Sequence, residues 1–171
     1  MPTNAVNDIK SGVELLLSDS DCAGFINKLL NTAADIKNSS SRPNTDILGQ
    51  FNTVLSQGGL VWGVPGESNP GGNLEGQNAQ IALSSNFQFG RQFVENQYEA
   101  ALSAIHETIH LVGSARAGQT GSAYWYGDVT LARAVDKMQG LKESPARSVL
   151  EASTYWSRAL KDACTKPKNW K

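Results

Sequence analysis

The chain has 171 residues, 40% of them hydrophobic and 18% charged, a composition that belongs to one folded domain and excludes a chain disordered throughout. Fifteen basic residues against 16 acidic ones leave a net charge of −1, so no electrostatic case exists for nucleic acid or an anionic membrane surface. No apolar run approaches the roughly 20 residues of a membrane helix. The stretch Val13 to Leu17 is far too short and lacks the flanks of a secretory leader, so no membrane insertion is expected.

Residues 1–20 read as polar and uneven, a flexible lead-in to a single domain at 21–171. From Asp21 to Lys37, Phe25, Ile26, Leu29, Leu30, Ala33 and Ile36 recur at helical spacing. The serine-rich run Asn38 to Asn44 is a loop, after which Thr45 can cap a helix carrying Ile47, Leu48, Phe51, Val54 and Leu55. Gly58-Gly59 ends it, Leu60 to Val64 is a short strand, and Pro65 to Gly76 is an exposed loop or hairpin arm.

The clearest strand follows, Ala79 to Phe89, with Ala79, Ile81, Leu83, Ser85, Phe87 and Phe89 on one face. After Gly90 the period changes to that of a helix. Phe93, Val94, Tyr98, Ala101, Leu102, Ile105, Ile109 and Val112 form one broad stripe ending at Gly113. Arg116 to Ser122 is a glycine-rich loop, a helix runs from about Asp128 through Met138, and Ser144-Pro145 opens a last helix reaching about Cys164. The fold class is α+β with helices dominating.

Cys22 and Cys164 stand near opposite ends of the chain. A disulfide between them would tie the 21–37 helix to the last one and imply an oxidising compartment, extracellular or periplasmic. Closing so long a loop stabilises by about 4 to 5 kcal/mol in the chain-entropy model. Two unrelated buried thiols are the alternative, and the sequence leaves both open.

The only two histidines, His106 and His110, lie four residues apart on the long helix. That spacing stacks both imidazoles on one face, close enough to share one metal ion. Glu107 points about 100° further round, beside such an ion and too far round to be a natural ligand. A carboxylate there can act as the general base toward water that zinc has acidified. A pair of surface histidines flanking a solvated glutamate is the bland alternative. Against it stand the helix's own apolar stripe and the placing of both histidines within the motif.

The motif His106-Glu107-x-x-His110 on a long helix, preceded by the strand Ala79 to Phe89, resembles the zincin class of zinc metallopeptidases. The resemblance covers about residues 79–138. It implies a zincin-like α+β fold in which the edge strand before the active-site helix holds an extended peptide antiparallel. It further implies one Zn2+ per chain, His106 and His110 as ligands, Glu107 as general base, and a third ligand from beyond the helix. The metzincin branch fails: Gly113 is in place, but its third histidine would fall where this chain has Arg116. The sequences marking the gluzincin and aspzincin branches are absent as well.

No acidic residue lies between Glu107 and Asp128, so Asp128, 18 residues past His110, is the first available third ligand. A helix N-cap is its rival role, weakened because Leu131 at the fourth position forms no capping box. Asp136, Glu143 and Glu151 are the other candidates. Tyr124 and Tyr126 flank the same turn, and Tyr126 is the candidate to hydrogen-bond an oxyanion, with simple packing under the helix as the competing reading. The Tyr155-Trp156 pair reads as core.

The expected function is that of a zinc-dependent hydrolase, a metallopeptidase acting on a peptide or protein substrate. Its alternative is a non-catalytic zincin-fold interaction module of a secreted or larger protein. A helical domain with an accidental motif is the third reading. Substrate specificity and oligomeric state stay open.

Overall fold

Helix α1 (Thr3–Leu17) occupies the segment that reads as a lead-in, and it is part of the core. Ile9, Val13 and Leu16 are almost fully buried along one stripe, and α1 packs against the long helix that carries both histidines. Two features hide this helix from a sequence reading. Its apolar stripe is narrow, and Pro2 at the N-cap offers no side-chain cap. Gly12 lets the two helices pack tightly: a Cβ there would meet the Cβ of Ala101 and the Trp170 ring, each at 3.0 Å.

The structure, a computed structural model, describes residues 1–38, 43–63, 72–75, 78–84, 97–115, 126–144, 147–168 and 170. Helix α2 (Ser20–Ile36) begins at Asp19, whose carboxylate accepts from the backbone N–H groups of Asp21 and Cys22. Helix α3 (Ile47–Ser56) is capped by Asp46, one residue later than expected, and Gly58 at φ +68° turns the chain out of it. After the sheet come α4 (Gln97–Ala115), α5 (Asp128–Met138) and α6 (Val149–Ala163). The last begins at Ser148, not Ser144, through a reciprocal capping box with Glu151. The described residues thus form a mostly helical α+β fold.

Three strands, β1 (Leu60–Trp62), β2 (Gly72–Glu75) and β3 (Asn78–Leu83), form one sheet in the order β1-β3-β2. Strand β3 is therefore central, and the expectation of an edge strand before the histidine helix is corrected. Its 78–81 segment pairs antiparallel with β2, and its 81–83 segment pairs parallel with β1. The two pairings meet at Ile81, and along 78–81 the side of the strand that faces β2 is already taken. The alternation itself holds, with Ile81 and Leu83 buried and Gln80 exposed. The expected continuation to Phe89, and most of the Pro65 to Gly76 arm, lie outside the described residues, as do Arg116 and Tyr124.

Helix α4 lies against the sheet on one side and against α1 and α3 elsewhere, while α5 and α6 pack on each other and on α2. Cys22 of α2 and Cys164, the C-cap of α6, are joined by a disulfide across 142 residues of sequence. Trp156 is fully buried at the centre of the α6 face.

Asp136 secures the connection from α5 to α6. Its carboxylate takes a two-pronged ion pair from Arg147 at 2.6 and 2.9 Å, plus the Ser144 N–H and the Tyr155 hydroxyl. The Arg147 hydrogen bonds, outweighing burial, hold its pKa down to about 2, against about 3.9 for a free aspartate. A depressed carboxylate stabilises the fold above its unfolded pKa and stops doing so as pH falls through its folded one. Wild type should therefore exceed Asp136→Asn in unfolding free energy by about 1 to 2 kcal/mol near neutrality, allowing for solvent around Arg147. That difference should shrink between about pH 4 and pH 2, as read by urea titrations across this range.

Candidate metal site

Helix α4 turns Ile105 and Ile109 into the core at 0% exposure, and this orientation fixes the face on which His106 and His110 stand. The two rings are 4.9 Å apart, and their Nε2 atoms approach to 3.2 Å. The second ring is held by a backbone group. His110 Nδ1 lies 2.7 Å from the carbonyl oxygen of Tyr126, which can only accept, so Nδ1 carries the proton. Neutral His110 consequently presents a lone pair at Nε2. His106 Nδ1 is 3.0 Å from Ser157 Oγ, which likewise leaves its Nε2 facing inward.

Asp128 is the first residue of α5, and its side chain does not cap the helix; the N-cap is Gly127. Its Oδ1 lies 3.2 Å from His110 Nε2 and 3.9 Å from His106 Nε2. The same oxygen accepts the indole N–H of Trp156 at 2.7 Å. Trp156 also stacks on His106, with ring centres 4.0 Å apart, and meets His110 edge-on. Sequence reading placed Trp156 in the core, which it is, but missed this second role together with Ser157. The one available signal is that a buried indole N–H needs an acceptor.

His106, His110 and Asp128 form a possible metal-binding triad, their donor atoms all within 4.8 Å of one another. Ligands at about 2.0 to 2.2 Å around one tetrahedral ion stand about 3.3 Å apart, close to the separations found here. The donor chemistry also fits. Two imidazole nitrogens and a carboxylate oxygen converge, a set that a bound cation or a proton on His110 can satisfy. Burial and the nearby His110 push His106 down to about 3, with Asp128 opposing. Burial also disfavours charged His110, but the hydrogen bond and charge of Asp128 outweigh it and raise that pKa. Asp128 is lowered, because hydrogen bonds from His110, once both of its ring nitrogens carry protons, and from Trp156 overcome its burial.

The other third-ligand candidates are engaged elsewhere. Asp136 is held by Arg147, Glu143 pairs with Arg133 at 2.9 Å, and Glu151 completes the capping box of α6. Glu107 stands outside the triad, with Oε1 3.8 Å from His106 Nε2 and a side chain only 13% exposed. Tyr126 is 6% exposed within the core, and it reaches the site through its backbone carbonyl.

A cleft of about 520 Å3 opens between β3, α4 and α6, with His106 and Glu107 on its wall. Residues 82–84, at and just past the end of β3, also line it, beyond the last described β2 pairing at Ile81. Tyr126 is not among the residues lining it. Comparison with protein-family models, with curated proteins and with solved structures returns no match.

Proposed function

We propose that this chain is a zinc-dependent hydrolase of the zincin type, acting as a peptidase on a peptide or protein substrate. The observation that carries the reading is the convergence of His106 Nε2, His110 Nε2 and Asp128 Oδ1 beside a cleft that also contains Glu107. Two histidines and one carboxylate are a catalytic zinc donor set that leaves a position for water or substrate. A bound zinc supplies a Lewis acid and lowers the pKa of water to about 7.

The chain's own residues divide the remaining work. His106, His110 and Asp128 hold the ion. The Tyr126 carbonyl, Ser157 and the Trp156 indole keep those three side chains in register, the outer-layer support on which metal affinity depends. Glu107 Oε1 takes a proton from the attacking water and returns it to the leaving amine. The substrate lies in the cleft against residues 82–84, not along 78–81, where β2 is already paired. An extracellular or periplasmic location belongs to the same proposal, because a disulfide persists in oxidising compartments.

Metal analysis after dialysis against zinc tests the site. Wild type should retain one zinc per chain, with an anomalous-scattering peak between the two histidines. Asp128→Ala, reduced to two protein ligands, should bind at least about 100-fold more weakly. Absence of zinc from wild type, with melting unchanged by chelator, would overturn the reading.

A further inference from the structure

The cleft carries charge beyond the proposed metal site, and that charge is uneven. At one end Lys161 is committed to Glu99 by an ion pair and lies over the Tyr98 ring. Glu107 is the carboxylate assigned to proton transfer. Arg158 is the remaining charged residue on the wall, and among the described residues it has no hydrogen bond or ion pair. It follows Ser157, whose hydroxyl touches His106, so the guanidinium emanates from the helix one residue away from the site.

The same helix supplies an apolar element further along. Leu150 lines the cleft and is 65% exposed. Eight residues separate it from Arg158, which at 1.5 Å of rise each is about 12 Å. An extended peptide covers that distance in three to four residues. Hydroxyls of Ser153 and Thr154 lie between the two.

We propose that Arg158 is a specificity residue that receives a carboxylate of the substrate peptide, while Leu150 meets an apolar side chain three to four residues away. The inference rests on the peptidase reading of the neighbouring site. It narrows the substrate class to peptides bearing a negative charge close to the bond that is cut. A guanidinium fork pairs a carboxylate through two parallel hydrogen bonds, which suits either an acidic side chain or a free C-terminus.

Binding of short fluorescent peptides, followed by anisotropy on the zinc-loaded protein, tests this without requiring turnover. Three peptides share a leucine four residues from the variable end: one ends in Glu with an amidated terminus, one in Gln amide, and one in Gln with a free carboxylate. Wild type should bind at least one of the charged peptides about three- to tenfold more tightly than the Gln amide. Whichever charged peptide shows the gain identifies the source of the carboxylate.

Arg158→Ala should abolish the ratio with its melting temperature unchanged, and Arg158→Lys should keep part of it. Arg158→Glu should favour a Lys-ended peptide instead. Equal binding of all three peptides by wild type, or a ratio that survives Arg158→Ala, overturns the proposal. Charge-dependent binding through Arg158 without any cleavage would count against the hydrolase reading alone. Cleavage indifferent to charge would count against Arg158 alone.

Discussion

Glu107→Gln should retain one zinc per chain and lose about 100- to 10,000-fold in kcat on whatever peptide the wild type cleaves. The exchange is isosteric, so the side chain keeps its volume in a site where it is only 13% exposed. The donor atoms grouped around the metal position exclude Glu107, so its removal should leave the ion in place. What disappears is a proton acceptor 3.8 Å from His106 Nε2, since an amide cannot take up a proton near neutral pH. Zinc content, kcat and KM measured on the same preparation separate the possible roles. A variant that loses zinc would make Glu107 a ligand. A variant that still turns over would remove it from the mechanism altogether.

The histidine pair was legible because it depends on local geometry alone. A four-residue spacing on a helix with its own apolar stripe places both rings together whatever the rest of the chain does. Asp128 was legible for a similar reason, as the first acidic side chain in the sequence after Glu107, and α5 begins at that residue. Trp156 and Ser157 were not legible, because their contact with His106 spans about 50 residues and depends on how α6 packs across α4. No local period encodes that register.

The sheet order was hidden in the same way. Alternation in β3 correctly puts Ile81 and Leu83 inside, but the partners β1 and β2 are three and four residues long. Segments so short carry no pattern that could say which sides of β3 they fill, so the sequence alone does not distinguish a central strand from an edge. Helix α1 is hard to read because its local signals are weak where its tertiary packing is strong: no side-chain cap, and a glycine in tight contact with Ala101.

Replacing Cys22 and Cys164 together by alanine should lower the unfolding free energy by about 4 to 5 kcal/mol. The bridge closes 142 residues, nearly the whole chain, so its loss releases a large loop in the unfolded ensemble. Both residues are buried, at 0% and 1% exposure, which keeps the bond out of reach of mild reductants until the fold opens. The native helix ends have other contacts besides the bridge. Tyr98 donates to the Cys164 carbonyl at 2.6 Å, and Trp156 and Leu160 are buried on the inner face of α6. The triad should therefore survive in the variant, and zinc should restore stability by mass action. At 1,000 times the dissociation constant a ligand that binds only the folded state contributes about 4 kcal/mol. Urea titrations of wild type and variant, each with and without zinc, read all four values. A variant as stable as wild type would show that the bridge contributes nothing to folding. A variant that is weakened but indifferent to zinc would show that His106, His110 and Asp128 do not hold the metal in the native state.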